Sequence, residues 1–255
     1  MPGGPFATDL AAAVLVLSAP FVGGFMGTLV RRLADGEGAL WGRTSCPSCR
    51  RPARLLERFP VASWWRLDRS CRGCGAADGR LFLAVEIGAL AVAAWAAACL
   101  PPSQLAIGCL YGWTLLTLAA IDLRRGILPD ALTLPLGAAG LLLAACDPAA
   151  DLPARLFGAL AGGGAFYAVR ELHWYLRRRE GLGLGDVKLL AAVGAWVSWD
   201  GLPSVVLLAS LLGLGFAVMG TTGGEETKLE DRLPFGPCLC FSSWVVWVHG
   251  LLSYW

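Results

Sequence analysis

The sequence predicts an all-α polytopic membrane protein, and three observations predict it. Of its 255 residues 56% are hydrophobic and only 16% charged, against roughly a quarter charged in soluble globular chains. Mean hydropathy is +0.60. Apolar stretches cover most of the chain, each near the ~20 residues that a helix needs to cross a bilayer. Together they give about eight transmembrane helices.

The elements follow in order. Segment 7–30 reads as a retained span, not a cleaved signal, because Asp9 and no Lys or Arg precede its apolar run. Residues 31–80 form the one long polar segment, large enough for a small extramembrane subdomain. Spans follow at 81–99 and 104–121, joined through Pro101-Pro102-Ser103, and a turn over 122–130 leads to a span at 131–147. The connector from Asp147 to Pro153 precedes a span at 154–176. After a basic connector, 177–186, come 187–199, short enough for a tilted or partial crossing, and 202–220, separated at Asp200-Gly201. A polar loop over 221–234 precedes the last span, 235–254. Glycines inside the spans, such as Gly162-Gly163-Gly164, read as sites of close helix packing.

Orientation follows from the loop charges. Residues 31–80 carry eleven arginines, and an excess of Lys and Arg marks cytoplasmic loops. Alternation then places 122–130, 177–186 and 221–234 inside as well. These hold Arg124 and Arg125, then Arg177 to Arg179, then Lys228 and Arg232. With a net charge of only +2 and no basic patch elsewhere, nucleic acid is not an expected partner. Membrane lipid is.

Four of the nine cysteines lie in the polar segment. Cys46-Pro-Ser-Cys49 and Cys71-Arg-Gly-Cys74 are two knuckles separated by 21 residues. Each puts two thiolates on one tight turn, and two knuckles complete the closed four-sulfur shell of structural Zn²⁺. The expected metal is a staple for a zinc-ribbon-like subdomain too small to hold itself together by core burial. Cys99, Cys109, Cys146, Cys238 and Cys240 stand in or beside apolar stretches and read as small hydrophobes. His173, next to Trp174 and Tyr175, reads as part of an interfacial anchor.

Two aspartates stand at membrane edges on the expected cytoplasmic side. Asp122 closes the third span in Ile121-Asp122-Leu123-Arg124-Arg125, and Asp186 opens the sixth in Gly181-Leu182-Gly183-Leu184-Gly185-Asp186-Val187-Lys188. An ionisable group at such depth is costly and points to function. Two carboxylates held together cannot both ionise comfortably, so one serves as base and the other as acid, which is the chemistry of aspartic peptide hydrolysis. Gly181, Gly183 and Gly185 would set Asp186 on an unstrained turn and let backbone approach a peptide. Other readings remain open on the residues alone. Asp186 can cap the helix that follows, and Asp130, after Pro129, fits a cap better than Asp122 does. Paired membrane carboxylates also serve ion-coupled transporters, and a scaffold docking partners through its zinc ribbon would use the aspartates only as caps.

The CPSC and CRGC knuckles, AVEIGAL with Glu86, IDLRRGILPDALTLP, GLGLGDVKLLAAVGAW and LPFGP at 233–237 lie along most of the chain. In these stretches it resembles the type IV prepilin peptidases, and Gly183-Leu184-Gly185-Asp186 is similar to the GxGD signature of that intramembrane aspartyl protease class. The resemblance implies a multi-pass enzyme of the bacterial inner membrane. Such an enzyme removes the basic leader of type IV prepilins or type II secretion pseudopilins at the cytoplasmic face. It then methylates the new N-terminus from S-adenosylmethionine. It further implies Asp122 and Asp186 as the peptidase pair and Cys46, Cys49, Cys71 and Cys74 as zinc ligands. Lys188, beside the pair, is a residue to tune it or contact substrate, and Glu86 is a candidate for methylation. Gly27 stands where the family usually has Asn, a departure that bears on methyl transfer, so a leader peptidase without methylation is the nearest alternative. The expected division is a first helix over 1–30, the four-cysteine zinc-binding subdomain over 31–80, and a transmembrane aspartyl protease core over 81–255.

Overall fold

The computed structural model describes residues 5–34, 49, 74, 79–148, 150–178, 182–222 and 235–250. The described elements are all helices: α1 (Pro5–Ala34), α2 (Gly79–Cys99), α3 (Pro102–Arg125), α4 (Asp130–Cys146), α5 (Leu152–Arg177), α6 (Leu184–Thr222) and α7 (Phe235–His249). Four are long and apolar enough to cross a membrane, through Ala12–Ala34, Leu81–Cys99, Pro102–Arg125 and Leu184–Met219, while α4 and α7 are shorter apolar helices. This fits a membrane protein. The chain divides into two compact units, Met1–Ile121 and Asp122–Trp255, with the division falling inside α3 directly before Asp122.

In the first unit α1 packs on α2 where side chains are missing. A Cβ added at Gly23 would stand 2.7 Å from Glu86 Cα, and one at Gly27 would stand 2.6 Å from the ring of Phe82. Phe82 therefore occupies the room that a larger residue at position 27 would need. The α2–α3 contact is tied by Trp113 Nε1, which donates to Ala89 O at 3.0 Å. Hydroxyls bond back onto their own helices, Thr28 Oγ1 to Gly24 O at 3.1 Å and Thr117 Oγ1 to Trp113 O at 2.8 Å. In a hydrocarbon solvent polar groups must be satisfied internally in this way.

In the second unit α5 and α6 touch backbone to backbone. A Cβ at Gly158 would stand 2.7 Å from Gly194 O and from Trp199 N, so only the absence of side chains allows the approach. Trp196 is 6% exposed and crosses to α4, where its Nε1 donates to Leu136 O at 2.8 Å. Its ring fills the place a side chain at Gly140 would take. On the other side it meets Trp247 of α7 edge-on at 6.1 Å. Cys109, Cys238 and Cys240 are buried, as small hydrophobes should be, whereas Cys99 and Cys146 are exposed at helix ends.

The separation expected at Asp200-Gly201 is not a loop. Both sequence spans fall within α6, which is interrupted at Ser198 (φ 64, ψ 179). A straight helix of 39 residues would be about 58 Å long, nearly twice a hydrocarbon core. Instead the chain turns back: Leu190 O and Leu202 Cδ1 both lie within 3.3 Å of a Cβ placed on Gly162. In an unbroken helix those two residues would be ~18 Å apart. The described residues thus hold seven helices, one of them folded on itself. The interruption falls two residues before the expected Asp200-Gly201 separation, with Gly201 and Pro203 directly after it.

Candidate active site

Asp122 belongs to the last turn of α3 and not to the connector after it. Its backbone O accepts from Gly126 N–H at 2.7 Å, and Gly126 (φ 64) supplies the left-handed residue that ends the helix. The Asp122 side chain is 8% exposed. Its carboxylate accepts the backbone N–H of Gly236, the second residue of α7. A Cβ at Gly236 would lie 2.6 Å from Asp122 Oδ2, so α7 can offer its N-terminal amide only because the residue there is glycine.

Asp186 is the third residue of α6, half-buried, and its carboxylate reaches back to the N–H of Gly183. This is the returning half of a capping box, in which an acid in the first turn satisfies the amide of the cap residue. Asp186 is therefore not the cap expected of it but an acid within the first turn, and that place does not compete with a role in chemistry. The Asp122 and Asp186 carboxylates lie close enough to repel one another. Each accepts one backbone N–H, and an ionised carboxylate has about four acceptor positions, so both keep capacity for water or a peptide.

Two of the glycines before Asp186 are described. Neither Gly183 nor Gly185 has a positive φ. Gly183 supplies an amide, and Gly185 gives room to Leu128, whose Cβ would be 3.0 Å from a Cβ added there. Gly181 lies outside the described residues. Asp130, expected as a cap, is instead the first residue of α4; Pro129 occupies the cap position and no side chain caps it. The Asp130 carboxylate takes Lys188 Nζ at 2.7 and 2.8 Å.

Glu86 belongs to the other unit, where it is fully buried with Gly23 against its backbone. Of the zinc quartet, Cys46 and Cys71 lie outside the described residues, and Cys49 and Cys74 are exposed. Among the described residues no group of three or more His, Cys, Asp or Glu could hold a metal ion. Sequence reasoning gave no role to Gly236. The available signal was a Gly-Pro pair inside LPFGP at the start of an apolar run, which marks a helix N-terminus with unpaired N–H groups.

Residues 109–218 match the type IV leader peptidase family, and residues 17–100 match the bacterial peptidase A24 N-terminal domain. The chain is 37% identical over 212 residues to a prepilin leader peptidase/N-methyltransferase of Aeromonas salmonicida, covering 82% of this chain and 72% of that protein. The chain belongs to the type IV leader peptidase family. A protein of the same name from Stutzerimonas stutzeri is 33% identical over 272 residues, 96% of this chain and 92% of its own length. Another, from Burkholderia pseudomallei (strain 1026b), is 41% identical over 199 residues, 77% of this chain. The chain spans 64% of the length of that last relative. No solved structure gave a significant match. The leader peptidase match contains both aspartates, Asp130 and Lys188, whereas Glu86 falls in the N-terminal match.

Proposed function

We propose that this protein is a membrane aspartyl endopeptidase that removes the basic leader peptide of type IV prepilins or type II secretion pseudopilins. The observation that carries the reading is the pair of mutually repelling carboxylates, Asp122 and Asp186, each fixed by a backbone amide at a helix end. One carboxylate takes a proton from water as its oxygen bonds to the scissile carbonyl carbon. The other, protonated, gives its proton to the leaving amine as the C–N bond breaks. Family membership and the names of the relatives support the substrate class.

Eight crossings are proposed, with α6 counted twice because it folds back at Ser198. The arginine-rich segment and loops 122–130, 177–186 and 221–234 then lie in the cytoplasm, and the aspartates act at that face of the bacterial inner membrane. Residues 31–80 form the zinc subdomain. Four cysteines in two knuckles are a donor set that suits Zn²⁺, and Cys46, Cys49, Cys71 and Cys74 would hold it as a closed, structural site. The remaining helices, over 81–255, make the protease core.

Methylation of the new N-terminus completes the proposal, supported by the relatives' names; S-adenosylmethionine would supply the methyl group. Glu86, sealed at 0% exposure, fits helix packing better than contact with that cofactor. The test is incubation of membranes holding the protein with a prepilin, followed by intact mass. Loss of the leader supports the peptidase and an unchanged mass counts against it. A further gain of ~14 Da, one methyl group on the freed amine, appears only with added S-adenosylmethionine if the second activity is present.

A further inference from the structure

The Asp130–Lys188 pair ties the chain beyond one aspartate to the chain beyond the other. Lys188 Nζ donates to both carboxylate oxygens of Asp130, at 2.7 and 2.8 Å. Lys188 follows Asp186 by two residues on α6, and Asp130 starts α4 directly after the connector that leaves Asp122. Between these ends, Leu128 of the connector sits against Gly185. The connector is thus fastened on both sides of Asp186, by packing at Gly185 before it and by charge at Lys188 after it.

The local electrostatics ask for this partner. Near the N-terminal end of α6 the helix dipole disfavours a cation, whereas an acid in the first turn of α4 is favoured. A paired Lys188 removes its own mismatch while Asp130 keeps a suitable place. Both side chains are substantially exposed, 42% and 54%, so the pair adds little to global stability. Its effect is local, on the spacing of two elements that each carry a carboxylate.

We propose that Asp130 and Lys188 are positioning residues, a clamp between α4 and α6 that holds Asp122 and Asp186 at working separation. The proposal rests on the reading of those two aspartates as the catalytic pair. Lys188 then acts through Asp130 and touches no substrate.

The test measures prepilin cleavage in membranes for Asp130→Asn, Lys188→Met, the double neutral variant, and the exchange Asp130→Lys with Lys188→Asp. For a clamp, each single change lowers kcat about tenfold or more with KM little changed, since small misplacements are costly in catalysis. The double neutral variant is no worse than either single, because one interaction is lost once. Exchange of the charges restores most of the rate. Singles with wild-type kcat overturn the clamp. So do losses that multiply in the double neutral variant, or a raised KM at Lys188→Met alone, either of which would make Lys188 a direct contact. The double neutral variant keeps the test decisive if the exchanged protein does not fold. Asp122→Asn is run alongside: full activity in that variant sinks the catalytic pair itself, separately from the clamp.

Discussion

Gly236 and Asp122 are in contact through an amide that a side chain would block. The Gly236 N–H donates to the Asp122 carboxylate, and a Cβ at position 236 would stand 2.6 Å from Oδ2 and 2.9 Å from Cγ. Gly236→Ala must therefore push the carboxylate away from α7 or move the helix start. The expected result is a fall in kcat on the order of a hundredfold, as for misplacement of a catalytic group. The protein should still be recovered folded from membranes, because overpacking at one site costs about 1–3 kcal/mol. Steady-state cleavage kinetics and thermal unfolding in detergent check the two halves.

Two glycines of α5 give an internally controlled prediction about packing. A Cβ at Gly158 would collide with backbone atoms of Gly194, Ser198 and Trp199, whereas nothing lies within 4 Å of one at Gly164. Gly158→Ala should lower stability by about 1–3 kcal/mol, since backbone cannot yield as a flexible side chain can. Gly164→Ala should be neutral or raise it by up to ~1 kcal/mol through helix propensity. Unfolding of both variants in one detergent system compares them; equal effects would contradict the α5–α6 contact.

Ser198 holds a backbone conformation that favours glycine, with φ 64 and ψ 179. Such a conformation costs a non-glycine residue ~1–3 kcal/mol. Ser198→Gly should therefore stabilise the protein by about 1 kcal/mol after the extra entropy of the unfolded glycine is counted. Cleavage activity should not change. A destabilised Ser198→Gly would mean that the chain does not reverse there.

The helices were largely legible in the sequence because each is a local property of composition, and the described helix ends differ from expectation by a few residues only, although four of the seven are long and apolar enough to cross a membrane. Asp122 and Asp186 stood out because an acid at the end of an apolar run contrasts with its neighbours. What was illegible depends on partners far along the chain. Asp130 reads as a cap from its neighbours alone, yet its partner Lys188 is 58 residues away. Gly236 is silent until the fold brings its amide to Asp122. The break was expected at Asp200-Gly201, just before Pro203, and falls two residues earlier, at Ser198.

The zinc expectation yields a measurement independent of catalysis. Purified protein should carry about one zinc per chain by elemental analysis, as a closed four-thiolate site requires. Cys46→Ser or Cys71→Ser should reduce that content and expose residues 31–80 to limited proteolysis, as loss of a structural metal would. Zinc at background level in the unaltered protein would mean that no metal staples residues 31–80.

Single Asn substitutions at Asp122 and Asp186 decide whether these two carboxylates carry out the hydrolysis. Asn keeps the size of the side chain and its acceptor oxygen, so the Gly236 and Gly183 amides can still be satisfied, but it can neither take nor give the reacting proton. Membranes with the unaltered protein, Asp122→Asn or Asp186→Asn would be incubated with a prepilin and the product followed by intact mass. The expected result is leader removal by the unaltered protein and none by either variant, with both variants present and folded. Leader removal at the unaltered rate by either variant would leave the aspartates as helix-end residues with no part in the hydrolysis.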